Sequence, residues 1–496
     1  MLMVCILSTF AGAAKLSVQD PIRLPDGQAL KAVYLYPHWW EPWKSDDSAL
    51  AGDLKKIKEL GFNTICVDHE SSQAVDNEWG WINREFKLAR AENLYILPWL
   101  QLQGSDRKAL IKFSHLKIKP AVNQDRQAEE DYITFRDKDF REALAHYVSV
   151  YLDQYGDDPA LLKVQTGKRM RPVVGLIVEV GWHNGSGLPL SFDDESNAYF
   201  RTWMKSSHHD IKQLNKRWGT TYKSFDEIDP CDKTIFNYAV EDRTKIPPAV
   251  REHITFRARV INEALEYVAR QVRKRHKDVL FIAETPYPFG STSPDAAAYQ
   301  LSAANERKAI EFADILFVRT LGDTVSGEAK KQQDQILDSY KQVITAYRLP
   351  DGATEKDAIA LAIDGASAGN GIAYYNWNEH VDTVFAACNK PDKQQLLKTM
   401  NTVYDLICDP DKRHKTLLTT PAVNIEPVTS GKGKDGIPAN IAPLPPLEQK
   451  SSESAAPVPP APVTPEKIAA PSAAPTPVQS TPPAADSTSA PVNPTK

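Results

Sequence analysis

The sequence predicts an α/β chain: a (β/α)8 TIM barrel with an inserted helical and loop segment after the fourth strand and a disordered C-terminal tail. Three observations carry that reading. Eight apolar, strand-like runs alternate with helical periodicity across about 380 residues, the rhythm of a closed parallel barrel with insertions. Carboxylates and aromatics recur where those runs end, as they do around the mouth of a barrel. The first run leads into His38, Trp39 and Trp40, where an open doubly wound sheet would usually bring a glycine-rich phosphate turn.

Residues 31–37 alternate as the first strand. From 46 to 60, Leu50, Leu54, Ile57 and Leu60 recur at helical spacing, and Gly61 ends that helix. Residues 62–67 form the second strand and run into Asp68, His69 and Glu70. Residues 81–91 are helical, and 94–100 form the third strand. A helix over 140–155 leads to the fourth, Pro172-Val-Val-Gly-Leu-Ile-Val-Glu-Val180, a continuous apolar run of the kind buried on both faces of a parallel sheet. The rhythm then breaks for about seventy residues, longer than an ordinary connection, with helix over 194–218 and loop over 219–248. A long amphipathic helix over 254–275 restores it. Strands follow at 278–284, 314–319, 342–348 and 372–377, with helices at 295–312, 328–340, 354–368 and 391–408.

Residues 1–16 read as a signal peptide, a short apolar core ending in small residues, and imply a secreted or periplasmic protein. Residues 17–415 are the barrel, with the insertion over about 185–250. Half of the 36 prolines lie beyond residue 420, among Ala, Ser and Thr, so 416–496 cannot bury enough apolar surface to offset its ordering entropy. A net charge of −5, with no basic run interleaved with aromatics, argues against a nucleic-acid partner. No apolar run reaches the roughly 18 residues of a spanning helix, so no integral membrane segment is expected. Cys66, Cys231, Cys388 and Cys408 fit no Cys or His ligand spacing. His69 stands between Asp68 and Glu70 on a strand, where neighbours point to opposite faces, so no metal and no other cofactor is expected. Neither a nucleophile elbow nor a P-loop is present, which leaves acyl and phosphoryl transfer without support. The oligomeric state is not legible.

The strand ends supply the chemistry. Strand one gives Trp39 and Trp40, strand two Asp68 and His69, and strand three Trp99. Strand four gives Glu179, Trp182 and His183, strand five Glu284, and strand six Arg319. Strand seven gives Tyr347 and Arg348, and strand eight Asn376, Trp377 and Glu379. Aromatic faces stack on the C–H face of a sugar ring, while carboxylates bond hydroxyls and handle the proton and the oxocarbenium charge. This inventory points to a carbohydrate substrate. Glu179 leads it, because burial beside Trp182 would raise its pKa, as a general acid at neutral pH needs.

Two stretches also resemble a known family. Val33-Tyr-Leu-Tyr-Pro-His-Trp-Trp, followed by Asp53-Leu-Lys-Lys-Ile-Lys-Glu-Leu-Gly-Phe-Asn63, is similar to the opening of the family 42 β-galactosidases and kindred clan A glycoside hydrolases. Phe200-Arg-Thr-Trp-Met-Lys and Ile211-Lys-Gln-Leu-Asn-Lys-Arg-Trp-Gly-Thr220 resemble that family's segment after strand four. Beyond residue 250 only the strand rhythm agrees. The resemblance implies a barrel that acts on glycosidic bonds with retention, with an acid/base Glu closing strand four, the place of Glu179. The Asn expected before it is replaced by Val178. The nucleophilic Glu expected at the end of strand seven is missing, since that strand reads Thr345-Ala-Tyr-Arg-Leu-Pro350. Glu284 or Glu379 could supply the second carboxylate, Tyr347 could act as nucleophile, or the protein could bind or invert without double displacement.

The expectation is an exported glycoside hydrolase-like protein that works by carboxylate acid/base catalysis. Its rivals are a carbohydrate-binding barrel without turnover and a surface-assembly protein with the tail as interaction arm.

Overall fold

The computed structural model describes residues 18–35, 37, 41–76, 79–103, 107–180, 190–238, 246–285, 311–319, 342–349, 352–375, 377 and 391–412. The predicted signal peptide and tail lie outside them, as do the helix expected over 328–340 and most of that over 295–312.

Eight parallel strands close into a ring. They are β1 (Lys31–Leu35), β2 (Thr64–Asp68), β3 (Tyr95–Gln103), β4 (Arg169–Val180), β5 (Leu280–Thr285), β6 (Ile315–Arg319), β7 (Gln342–Tyr347) and β8 (Gly371–Tyr374). β8 pairs with β1, and β3 pairs with β4 through Trp99 and Gly175, so the sheet meets itself as a TIM barrel must. Side chains alternate between two apolar layers. Tyr34, Cys66, Leu97, Trp99, Ile282 and Phe317 fill the inside of the ring. Val33, Val67, Leu100, Val174, Phe281 and Leu316 face the surrounding helices. Both faces of every stave are therefore dry, which is why β4 reads as an unbroken apolar run.

Helix α1 (Asp47–Glu59) buries Leu50, Leu54 and Ile57, and Asp46 caps it by accepting from Ser48 N–H. Gly61 then takes φ +93°, a backbone that other residues resist. The Asn63 side chain ties β1 in place: its Oδ1 accepts from Lys31 N–H at 2.9 Å and its Nδ2 donates to Ala29 O at 2.8 Å. Helices α2 (Gly80–Ala91) and α3 (Lys138–Tyr155) cover β2 and β3. Between β3 and α3 stands an unexpected hairpin, Pro120–Val122 with Ala128–Ile133, whose charged second strand carries no apolar alternation. A short strand, Lys163–Thr166, pairs antiparallel with the first residues of β4 and starts that stave at Arg169, three residues before the predicted run.

The predicted helix over 194–218 is two helices, α4 (Asp194–Ser207) and α5 (Ile211–Trp218). Asp210 breaks it by capping α5, its side chain accepting from Lys212 N–H. Helix α6 (Pro248–Arg275) begins six residues ahead of the expected 254, because Pro248 suits a first helical turn. Asn215 shapes the turn after α5, and Trp218 ties the insertion to Glu252 of α6. Asn215 accepts from Thr220 Oγ1 at 2.7 Å and Tyr222 N–H at 3.0 Å, and Trp218 Nε1 donates to Glu252 at 3.4 Å. His208 Nε2 lies 2.8 Å from the same Glu252, which makes it a strut between the insertion and α6. Deeper in, Tyr238 Oη lies 2.6 Å from His253 Nδ1 among Phe192, Phe200 and Phe236. Burial, then Arg257, hold that imidazole well below its usual pKa. Helix α7 (Glu355–Ala368) opens with a capping box of Thr354 and Asp357, and α8 (Pro391–Cys408) closes the shell. Among the described residues no helix is long and apolar enough to cross a membrane.

Candidate functional site

The carboxyl end of the ring holds a buried polar and aromatic floor. Tyr34 Oη donates to Asp68 Oδ1 at 2.6 Å, both side chains lying inside the barrel. Asp68 is the register partner of Trp99 on the next stave. The Trp99 indole lies near-parallel to Tyr34, at 6.3 Å and 18°, and meets Phe317 edge-on at 5.3 Å. Tyr375 closes on Tyr34 at 5.1 Å. The ring of Trp99 fits only because β4 offers Gly175 there: a Cβ at that position would sit 2.2 Å from the indole. Glu284 is the penultimate residue of β5 and the register partner of Phe317, and it is 2 % exposed. The interior thus carries two buried carboxylates, Asp68 and Glu284, on a base of aromatic rings.

The predicted residues divide into three groups. The first comprises Asp68 and Glu284, which the structure brings to the inner side of the ring. Arg348 follows β7 and is half-buried. The second comprises Glu179, Trp39, Trp40, Trp182, His183, Asn376 and Glu379. Glu179 is the penultimate residue of β4, at the carboxyl rim, and its side chain lies outside the described residues, as do the other six positions entirely.

The third group is corrected. His69 faces the helical shell, not the bowl, since it follows the outward Val67 by two residues. Its ring nitrogens lie 2.7 Å from Tyr151 Oη and 2.7 Å from Glu85 Oε2, so both are occupied in the layer beneath α2 and α3. Trp99 has no exposed surface, which makes it the floor of the bowl and not a wall on which a sugar could stack. Trp377 is likewise buried, in the outer apolar layer. Tyr347 also faces outward, donating from Oη to Asp364 on α7 at 2.8 Å. Burial, then Asp364, push its phenol well above the usual range, so it is no nucleophile. Tyr347→Phe is expected to cost about 1 kcal/mol of stability, measured by urea unfolding, through loss of its bond to Asp364.

Tyr34 is the interior residue that the strand-end inventory passed over. Its signal was available, because it alternates with Ala32 on a strand whose inner face must be filled. Among the described residues no cluster of His, Cys, Asp and Glu could hold a metal ion.

Three comparisons bear on this geometry. Residues 115–288 match the family model of glycoside hydrolase family 42, described as β-galactosidase. That span takes in β4 with Glu179, the clasped insertion and β5 with Glu284, while the opening stretch 33–63 lies ahead of it. Among solved structures, a catalytic variant of a family 42 β-galactosidase from G. stearothermophilus superposes with TM-score 0.52 at 14% identity, over 79% of this chain and 58% of that one. A β-galactosidase from the haloarchaeon Halorubrum lacusprofundi gives 0.51 at 16%, over 77% and 58%. The β-amylase catalytic domain from Paenibacillus polymyxa gives 0.53 at 11%, over 77% of this chain and 99% of that domain. This chain spans somewhat under two thirds of the β-galactosidase chains, and at such identities the likeness carries the barrel fold alone. No curated protein matches the chain by sequence.

Proposed function

We propose that this barrel, which resembles the catalytic domain of family 42 β-galactosidases, hydrolyses glycosidic bonds in oligo- or polysaccharides with Glu179 as proton donor. The observation that carries the reading is the place of Glu179. It stands one residue from the end of the fourth stave of a closed ring, inside the family 42 segment and above a floor that buries Tyr34, Asp68 and Trp99. In such a step the anomeric C–O bond breaks and Glu179 gives its proton to the leaving oxygen. Water then supplies the new oxygen on the anomeric carbon, and its proton goes to a carboxylate.

Ring order supports a division of labour for the second carboxylate. β5 is the immediate neighbour of β4, so Glu284 sits beside Glu179 and not across from it. β8 lies opposite β4 in an eight-membered ring, and Glu379 follows β8 by five residues. Glu379, in the segment that follows this opposite stave, is the second carboxylate that the reading favours. The apolar residues 1–14 support export as the setting.

One observation favours a second reading. β7 ends in Tyr347, Arg348 and Leu349, without a carboxylate. A barrel that binds saccharides without cleaving them would tolerate that end. Incubation of the full-length chain with oligosaccharides decides between the two. Released sugar by chromatography supports hydrolysis, and calorimetric binding with no product after long incubation replaces it with the binding reading.

A further inference from the structure

Helix α6 carries a buried imidazole that the proposed chemistry leaves unused. His253 is fully buried where the inserted segment packs onto the helical shell. Phe192 ahead of α4, Phe200 on α4 and Phe236 near the end of the insertion meet its ring at 5.3, 4.7 and 5.8 Å between centres. Phe256 lies near-parallel to it from α6 itself at 5.9 Å. Tyr238, at the end of the insertion, brings its Oη to 2.6 Å from Nδ1. Arg257, one turn along α6 and also buried, bonds the same hydroxyl. A guanidinium can only donate, so the phenol oxygen accepts from Arg257 and gives its own proton to Nδ1. Nδ1 is thus an acceptor, and the imidazole is neutral. Among the described residues Arg257 is the one charged group that acts on His253, and no carboxylate does so from residues 190–193, from α4 or from 236–238.

A proton arriving at Nδ1 would reverse that bond. Two donors would then converge on one phenol oxygen, and a second cation would stand beside Arg257 among apolar rings. The polar contacts nearby do not share this liability. His208 faces a carboxylate, Glu252, beside Arg217, so a proton there does not force the seam open. Helix α6 also has moorings of its own on α3: Tyr267 donates to Glu142, and Arg275 meets Asp153 at 2.6 Å. We propose that His253 is an acid-sensitive latch: when it takes up a proton, the insertion, residues 190–238, lets go of α6 while the barrel stays closed. In the latch, burial and then Arg257 hold the imidazole well below its ordinary 6.5, whereas a released one titrates near that value. Release therefore takes up a proton, and the hold is lost as pH falls below 6.5.

Hydrogen exchange on the full-length chain, followed from about pH 7.5 to about 5, tests this, because protection factors divide out the chemical pH dependence of exchange. Amides of α4 should lose protection about tenfold for each pH unit below 6.5, the slope of one proton, while β1, β2 and α3 keep theirs. His253→Gln offers Tyr238 an acceptor, and His253→Phe fills the aromatic space. Neither can gain a proton, so each should flatten the α4 response, whereas His208→Gln should keep it. Should one His253 variant fail to fold, the other and the wild-type profile decide. A flat wild-type response, a loss of protection that the staves share step for step, or a slope that survives in a folded His253 variant overturns the proposal. So does a slope that disappears in His208→Gln, which would move the switch to the contact with Glu252.

Discussion

Glu179→Gln is expected to lower kcat by about 10²–10⁴ on a substrate whose leaving group is another sugar, with binding little changed. The reasoning starts from what a general acid does. A sugar alkoxide is a poor leaving group, so the bond cannot break until a proton reaches the glycosidic oxygen. The amide of Gln keeps the shape and some hydrogen bonding of the carboxyl group but has no proton to give. Nitrophenolate leaves unaided, so the same variant should lose far less on a 4-nitrophenyl glycoside at the bond-breaking step. This contrast separates a proton donor from a residue that only holds the strand end together, because a structural defect would lower both substrates alike. Equal losses on the two leaving groups would remove Glu179 from the proposed role. Glu379→Gln should behave differently if that residue faces the far side of the sugar: its effect should not depend on the leaving group's need for a proton.

The barrel itself was legible because each stave is dry on both faces and so reads as a short apolar run, while each helix shows one greasy stripe. What misled was the assumption that residues at strand ends all look into the bowl. Alternation sends Asp68 in and His69 out, and Ala346 in and Tyr347 out. A period of two applied strictly to the sequence would have separated those pairs before any coordinates. The partners of the outward residues were beyond reach, because Glu85, Tyr151 and Asp364 come from helices whose docking angle no local pattern records. The motifs behind the family resemblance prove to be framework. Gly61 and Asn63 pin β1 beside the first helix, Asn215 and Gly219 shape the turn that ends α5, and Trp218 ties the insertion to α6. They mark the scaffold, and they are silent on what the bowl accepts.

Trp99→Ala should be the most destabilising single change at the floor of the bowl, at about 3–5 kcal/mol, because it empties a fully buried indole from the centre of the ring. Tyr34 and Phe317 pack on that indole from two sides and would lose their contacts outright. Gly175→Ala should also destabilise, by about 1–3 kcal/mol, for the opposite reason. Its added Cβ would lie 2.2 Å from the ring, and neither the stave nor the indole has room to withdraw. The two effects share one space. In the double variant the new methyl group enters the volume vacated by the indole, so the combined loss should fall short of the sum by about 0.5–3 kcal/mol. Urea unfolding of the four proteins in a double-mutant cycle measures this directly. Simple additivity would mean that the glycine and the tryptophan are not packed against each other, and the pairing of Trp99 with Gly175 across the β3–β4 seam, which closes the ring, would have to be redrawn.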